Sequence, residues 1–333
     1  MSSVLRGGRK RRRSGSRLVA VLALLAAPAA VAGALYLGGH SGGSGRAERT
    51  PLAAAVARSP VSAPNPDALV GTPPVTDVPL NGVDALHVRL HKPPKSLLLF
   101  DVDTGEVLLR RDPLRRLPIA SLTKVMTALV VTQHSGPGEL VRITRSSLHY
   151  SGTGVGVLPK GKQVRLESLL NGMLIVSGND AAIALADHVG GNQRHFVSLM
   201  NERARTLGLR CTHFVDPHGL SPGDRSCVRD LAVLTRLAMA NHRITRIVRR
   251  EHVDFRFPIK GGHLFLSGHN PLIRAGYRGA IGLKTGFTDE AGRCLIGVAR
   301  RRGRTLGIVL LNDPNPLKHG AALLNAGFRT AER

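Results

Sequence analysis

The sequence predicts an α+β fold in which an antiparallel sheet lies beside a helical region. Three observations predict it. Short apolar segments typical of strands stand near the start of the folded part, segments with helical periodicity fill its middle, and further strand segments close it. If the strands of the two ends join in one sheet, the helices between them are left to form a layer of their own.

The first 84 residues are predicted to lie outside this fold. Within residues 1–37, the first 17 positions hold seven basic residues and no acidic residue, and an apolar run follows. This pattern is typical of an export signal or of a single membrane anchor, and both readings stay open. Residues 38–84 are rich in Gly, Ser, Pro and Ala, which predicts a disordered tether. We therefore expect the folded part, 85–333, to lie outside the cytoplasm.

The elements of the folded part follow in order. Two apolar strand segments, 96–100 and 107–109, surround the turn Asp103-Thr104-Gly105. Apolar residues at helical spacing then predict a series of helices, at 121–134, 166–174, 181–189, 196–207 and 231–237. Strands and a final helix close the chain, at 294–298, 306–311 and 317–328.

Composition limits the classes of partner. The formal net charge is +25, which by itself suggests nucleic acid. However, the sequence has no zinc-finger spacing, and its basic residues are not interleaved with aromatic ones, which make up only 3% of the chain. We therefore expect no nucleic-acid partner. The positive charge instead suits anionic lipids or acidic wall polymers.

Three cysteines stand at positions 211, 227 and 294. An odd number does not define a disulfide framework. A bridge between Cys211 and Cys227 is compatible with an exported protein, and so are three free thiols.

Three short polar motifs carry the predicted chemistry. They are S-x-x-K at Ser121–Lys124, S-x-N at Ser177–Asn179 and K-T-G at Lys284–Gly286. On a helix, Ser121 and Lys124 share one face, so the lysine can take the serine proton if its pKa is lowered. Burial and a second cation, Lys284, can both lower that pKa. This trio in this order is typical of penicillin-binding proteins and class A β-lactamases.

The surroundings of each motif agree with such a site. Ser121 is expected at a helix N-terminus, where its backbone N–H and the helix dipole can stabilise an oxyanion. Ser177 and Asn179 fall at a break between two predicted helices, where polar side chains can point into a cleft. Lys284 and Thr285 are expected just before the C-terminal strands, and a cation beside a hydroxyl suits a substrate carboxylate.

Longer segments around the motifs resemble the catalytic domain of D-alanyl-D-alanine carboxypeptidases, the low-molecular-mass penicillin-binding proteins of serine peptidase family S11. The resemblance runs from about residue 96 to residue 312 and implies a β-lactamase/transpeptidase-like fold. It is carried by PIASLTKVMTALV (118–130), LESLLNGMLIVSGNDAAIALADHV (166–189), THFVDPHGL (212–220) and IGLKTGFTDEAGRCLIGVA (281–299).

The resemblance implies a mechanism. Ser121 attacks the peptide bond between the two terminal D-alanines of a peptidoglycan stem peptide, and Lys124 acts as general base. Ser177, helped by Asn179, relays a proton to the leaving D-alanine. Water then releases the acyl-enzyme, and β-lactam antibiotics are expected to acylate the same serine.

The resemblance also assigns the K-T-G strand to substrate binding. Lys284 and Thr285 bind the terminal carboxylate, and Gly286 completes the motif. The backbone N–H groups of Ser121 and Phe287 form the oxyanion hole. Neither a cofactor nor a metal is implied.

Two departures from the family are expected to matter. The segment 150–162 (YSGTGVGVLPKGK) is rich in Gly and matches less well, which puts its substrate contacts in doubt. Many family members carry a second β-domain and a C-terminal amphipathic anchor. Because this sequence ends soon after the catalytic region, any anchor is expected in the N-terminal segment.

Other functions remain as alternatives. A β-lactamase would use the same nucleophile, and Glu167 begins an E-x-x-L-N segment like the deacylating motif of class A enzymes. That segment precedes S-x-N instead of following it, so we interpret Glu167 as a first-turn residue of a helix. A D,D-endopeptidase and a non-catalytic wall-binding protein are further alternatives. His213, Asp216 and His218 resemble metal ligands, but no matching downstream ligand stands out.

Overall fold

The computed structural model describes residues 77–330. The predicted signal or anchor, 1–37, lies outside the described residues, and so does most of the predicted tether, 38–84. Its last eight residues are described and make ordered contacts, since Val78 is buried and the Asp84 carboxylate pairs with Arg110. The folded part therefore begins earlier than the boundary predicted at residue 84.

The strands and helices alternate in blocks. Within the described residues the strands are β1 (Ser96–Asp101), β2 (Val107–Arg111), β3 (Leu117–Pro118), β4 (Leu140–Arg142), β5 (Gln163–Arg165), β6 (Arg225–Ser226), β7 (His252–Arg256), β8 (His263–Ser267), β9 (Ala280–Thr288), β10 (Gly292–Arg301) and β11 (Arg304–Leu311). The helices are α1 (Thr123–His134), α2 (Arg145–Leu148), α3 (Leu166–Ile175), α4 (Asn179–Gly190), α5 (Gln193–Thr206), α6 (Val228–Ala240), α7 (His242–Val248), α8 (Pro271–Arg274) and α9 (Pro316–Thr330).

The main sheet joins the two ends of the folded part, as predicted. Its five strands run in the order β2-β1-β11-β10-β9 and pair antiparallel. Every residue of β1 is buried, so both faces of the sheet are covered. Because successive side chains alternate between faces, Leu98 and Phe100 join the core with α1 and α6, whereas Leu97 and Leu99 pack with α9.

The helical region surrounds α1, the first predicted helix. Nine of its residues are buried, and α1 contacts α4, α5 and α6. A helix buried on most sides needs apolar residues around its whole circumference, and Val125, Met126, Val130 and Val131 supply them. The N-terminal end of α1 faces β9, so the helical region and the edge strand of the sheet form the two walls of a cleft.

Two features differ from the sequence prediction. The K-T-G motif lies inside β9, a nine-residue strand, instead of preceding the C-terminal strands. Gly282, Lys284 and Gly286 interrupt the apolar pattern of β9, which hid the strand from periodicity. The hairpin of β7 and β8 was also not predicted, although its strands alternate polar and apolar residues over five positions each.

The structure decides between a disulfide and three free thiols, all three cysteines being among the described residues. Cys211 and Cys227 form a disulfide, and Cys294 is a buried free thiol. None of the helices between residues 77 and 330 combines the length and the apolar character that crossing a bilayer requires.

Candidate active site

Ser121 lies in a short 3-10 turn, Ala120–Leu122, that leads directly into α1. The sequence prediction placed it at the N-terminus of the helix, and the turn puts it there. Ala120 has a φ of 47°, a left-handed conformation that costs about 1–3 kcal/mol in a non-glycine residue. This conformation turns the Ser121 side chain towards the cleft instead of into the core of the helical region.

Lys124 lies one turn further along and is completely buried. Its Nζ is 3.0 Å from Ser121 Oγ, 2.6 Å from Asn179 Oδ1 and 2.6 Å from the carbonyl oxygen of His218. A neutral amine has two N–H groups and one lone pair. If the two N–H groups donate to the two carbonyl-type oxygens, the lone pair is left for the hydroxyl proton of Ser121.

The electrostatics favour this neutral form. Burial holds the pKa of Lys124 well below its ordinary value, and the positive charge of Lys284 lowers it further. Three carboxylates, those of Asp216, Asp224 and Asp180, act in the opposite direction. None of them is a hydrogen-bonding partner of the ammonium group among its described contacts, so desolvation outweighs them.

Ser177 and Lys284 meet on the other side of the cleft. Lys284 Nζ donates to Ser177 Oγ at 3.0 Å and to the Thr285 carbonyl oxygen at 2.8 Å. Burial lowers the pKa of Lys284 to about 7. Ser177 has a φ of 61° and stands between α3 and α4, at the helix break that the sequence predicted. Such strain at a polar residue in a cleft is common at functional sites.

Asn179 connects Lys124 to the Gly-rich segment 150–162. Its Oδ1 accepts from Lys124, its Nδ2 donates to the Ser151 carbonyl at 2.6 Å, and its backbone N–H donates to the Thr153 carbonyl at 2.7 Å. The Asp180 carboxylate accepts from the backbone N–H groups of two further residues of this segment, at 2.9 and 2.8 Å. The segment is thus fixed against the start of α4, and it contributes Thr153 to the cleft.

The K-T-G strand lies against the serine turn. A Cβ added to Gly286 would lie 3.0 Å from the Ile119 carbonyl oxygen and 3.1 Å from the backbone N of Ser121. Only glycine allows this approach without displacement of the turn. The residue after it, Phe287, is 62% exposed and lines the cleft. The two backbone segments predicted to form the oxyanion hole therefore lie side by side.

The cleft between these elements has a volume of about 580 Å³. No acidic residue is among its lining residues in the described part of the chain. They are Ser121, Thr153, Ser177, His269, Pro271, Thr285, Gly286, Phe287, Arg293, Cys294, Pro314, Asn315, Pro316 and Leu317. With Lys124 and Lys284 beneath it, this lining suits a substrate that carries a carboxylate.

The residues that suggested a β-lactamase or a metal site make other contacts. Glu167 is in the first turn of α3, as predicted, and pairs with Arg243 at 2.6 Å outside the cleft lining. His213 is exposed, while Asp216 is occupied by His218 Nδ1 at 3.0 Å. The described residues hold one group with metal-ligand spacing, Cys211, Cys227 and Asp230, and its two sulfurs are bonded to each other.

Sequence reasoning missed part of the site. The carbonyl oxygen of His218 contacts Lys124, and two carboxylates, the partly buried Asp216 and the fully buried Asp224, hold the segment around it. A backbone carbonyl has no signature in a sequence. The quoted segment THFVDPHGL contained two of these residues, but no rule of spacing linked them to Lys124.

A buried lysine in contact with a serine hydroxyl, in a cleft between helices and the edge strand of an antiparallel sheet, is the arrangement of the penicillin-binding class of serine enzymes. The sequence profile of the Peptidase_S11 family, D-alanyl-D-alanine carboxypeptidase, matches residues 88–315. The chain belongs to this family.

Individual relatives agree. The chain is 36% identical to D-alanyl-D-alanine carboxypeptidase DacB2 of Mycobacterium tuberculosis, over 71% of this chain and 82% of that protein. It is 32% identical to DacF of Bacillus subtilis, over 68% of this chain and only 59% of that longer protein. A D-alanyl-D-alanine endopeptidase of Pseudomonas aeruginosa is 36% identical, over 60% of this chain and 65% of the relative. A solved D-alanyl-D-alanine carboxypeptidase from M. tuberculosis H37Rv is 33% identical, with a TM-score of 0.68, over 75% of this chain and 95% of that one.

Proposed function

We propose that the protein is a serine-type D-Ala-D-Ala carboxypeptidase that removes the terminal D-alanine from peptidoglycan stem pentapeptides. The observation that carries this proposal is the contact between Ser121 and Lys124. The lysine is buried and has two carbonyl-type acceptors for its N–H groups, so in its neutral form the lone pair is left for the serine hydroxyl 3.0 Å away. Such a pair can produce a nucleophile at neutral pH.

In the acylation step, the Ser121 hydroxyl proton passes to Lys124 Nζ as Ser121 Oγ attacks the carbonyl carbon of the penultimate D-alanine. The backbone N–H groups of Ser121 and Phe287 stabilise the resulting oxyanion. The C–N bond then breaks, and the leaving amine takes its proton through Ser177. Lys284 is placed to assist, because it contacts Ser177 Oγ directly.

In the deacylation step, a water molecule attacks the ester at Ser121 and loses a proton to the same basic groups.

Lys284 and Thr285 bind the terminal carboxylate of the incoming peptide before acylation, and Asn179 orients Lys124. A β-lactam offers a comparable carbonyl and carboxylate, so it acylates Ser121. No step in this scheme needs a cofactor or a metal.

The alternatives differ in support. D,D-endopeptidase activity stays close to the proposal, since one relative carries that name. Fast β-lactam hydrolysis is less favoured, because Glu167 is paired with Arg243 away from the cleft and supplies no base for the ester. A non-catalytic protein that only binds the cell wall would not require the buried contact between Lys124 and Ser121.

The setting of the activity is also a proposal. We infer that residues 1–37 export the protein or hold it at the membrane, so that the catalytic domain, 85–333, acts at the cell wall. The basic and apolar sequence of that segment supports this inference.

The test uses the purified protein and a pentapeptide that ends in D-Ala-D-Ala. We expect loss of one alanine by mass analysis and covalent labelling by fluorescent penicillin, both absent in Ser121→Ala. The Glu167→Gln variant is the matched control and should keep both activities. Labelling that survives in Ser121→Ala would disprove the assigned nucleophile, and rapid penicillin turnover would favour the β-lactamase alternative.

A further inference from the structure

The segment that presents the His218 carbonyl to Lys124 is a closed loop. The disulfide between Cys211 and Cys227 joins its ends, and we call it the 211–227 loop. No residue of this loop belongs to the three motifs that define the site. It nevertheless supplies one of the three polar contacts of the Lys124 ammonium nitrogen, at 2.6 Å.

Asp224 ties this loop to the helix that carries Lys124. The side chain is fully buried, and its Oδ2 accepts from the Thr123 hydroxyl at 2.8 Å. Its Oδ1 accepts from the backbone N–H groups of Val215 and Asp216, at 2.6 and 3.2 Å. Thr123 is the first residue of α1 and directly precedes Lys124. One carboxylate therefore bonds to the start of α1 and to the backbone that leads into His218.

Asp216 fixes the rest of the turn. Its carboxylate accepts from the backbone N–H groups of His218 and Ser221, each at 2.8 Å, and it pairs with His218 Nδ1 at 3.0 Å. Burial favours the neutral acid, but the bonds from His218 hold the pKa of Asp216 below its ordinary value. Burial and the nearby Asp216 raise the pKa of Asp224 to about 7. Asp216 therefore holds the turn around His218, and Asp224 joins the loop to α1.

We propose that Asp224 is a positioning residue for Lys124: its buried carboxylate ties the 211–227 loop to Thr123 and thereby holds the His218 carbonyl against the lysine nitrogen. The proposal rests on the proposed function, because it concerns the base of that reaction. If this tie is lost, α1 keeps, apart from the contact of Lys124 itself, only the bond from the Thr127 hydroxyl to the Pro217 carbonyl, at 2.7 Å, on this part of the loop among the described residues. The His218 carbonyl is then held less firmly, and so is the acceptor that orients Lys124 towards Ser121.

The tie also has an electrostatic consequence. The groups whose charges act on Lys124 are Lys284, which lowers the lysine pKa, and Asp216, Asp224 and Asp180, which raise it. Because the pKa of Asp224 is about 7, its charge favours protonation of Lys124 only above that pH. Asp224→Asn lacks this charge at every pH, so the ratio of its acylation rate to that of the wild type should change as the pH passes through about 7, a change that a merely structural residue would not cause.

The experiment compares Asp224→Asn with Asp230→Asn. Asp230 is a matched control, since it is equally buried and accepts from Cys211 N at 2.8 Å and Thr212 Oγ1 at 2.9 Å in the same loop, without contact to α1. The rate of Ser121 acylation by fluorescent penicillin is measured between about pH 5 and pH 10, together with thermal unfolding. For Asp224→Asn we expect a rate about tenfold lower, as for one lost hydrogen bond to a charged group, and a ratio to the wild-type rate that changes near pH 7. Asp230→Asn should keep the wild-type rate and profile.

Thr123→Val provides a second arm that leaves both carboxylates in place. It should slow acylation several-fold, and it should add little to the effect of Asp224→Asn in the double variant, because both changes break one bond. If the wild-type protein is not acylated at Ser121, the proposed function fails. If it is acylated but Asp224→Asn matches Asp230→Asn in rate and profile, the inference is overturned. Should Asp224→Asn not fold, an unchanged rate in Thr123→Val overturns it as well.

Discussion

The two walls of the cleft each bury a lysine, and they hold it in different ways. On the helical wall, Lys124 reaches a nucleophile, an amide oxygen and a backbone carbonyl that come from three separate parts of the chain. On the strand wall, Lys284 reaches Ser177 and the carbonyl of its own neighbour, Thr285. Neither lysine has a carboxylate among its described hydrogen-bonding partners.

This difference separates the roles that we propose for them. The pKa of each lysine is lowered by burial, and that of Lys124 is lowered further by the charge of Lys284. Because the charge of Lys284 acts against a proton on Lys124, we assign a single proton of the pair to Lys284. Lys124 is then the free base, and Lys284 is the cation available to a substrate carboxylate.

The largest expected effect comes from replacing each lysine by arginine. An arginine remains protonated, so Lys124→Arg removes the base, and the acylation rate should fall by about 10²–10⁴-fold. Lys284→Arg keeps the cation and should cost much less, on the order of tenfold, through its larger volume. Stopped-flow acylation by a fluorescent penicillin measures both.

Circular dichroism and thermal unfolding serve as the control for this pair, since both positions are buried. Equal losses in two folded variants would contradict the division of roles between the walls.

The sequence predicted the helical wall better than the strand wall. Helical periodicity and the break at Ser177 located α3 and α4, and spacing placed Lys124 beside Ser121. The strand wall depends on β9, whose glycines lack the side chains from which a strand pattern is recognised. The fold class followed from the strand segments at both ends, because such segments can satisfy their backbone only by pairing with one another.

The polar environment of Lys124 could not be predicted in the same way. The His218 carbonyl reaches the lysine across 94 positions of sequence, and every residue carries a carbonyl. The disulfide that closes the 211–227 loop stayed one of two readings, since its geometry is decided by the fold and not by the count of cysteines. Long-range backbone contacts are the part of this site that requires a structure.

The pH dependence of substrate binding should sharpen the comparison. Lys284 loses its proton as the pH rises through about 7, so a carboxylate loses its cationic partner above that pH. The KM for a D-Ala-D-Ala peptide should rise about tenfold over the following two pH units, the value of one charge-assisted bond. Steady-state kinetics from about pH 6 to pH 9 measure it.

A peptide with a C-terminal amide is the matched control substrate, and its KM should not rise in that way. In Lys284→Arg the rise should disappear for the carboxylate peptide too, because arginine stays charged. A KM that increases equally for acid and amide would remove Lys284 from carboxylate binding.

The smallest effect on the acylation rate is expected from loss of the disulfide, which cross-links a loop of the helical wall only. Replacing both Cys211 and Cys227 by Ser opens a loop with a sequence separation of 16, which should lower the free energy of unfolding by about 3 kcal/mol in urea titrations. Acylation should slow only two- to threefold, roughly, because Asp224 still bonds the loop to α1 and Asp216 still holds the turn around His218. The KM for the carboxylate peptide should not change, since the strand wall is held by β10. A KM that rose with the opened loop would show that the two walls are not independent.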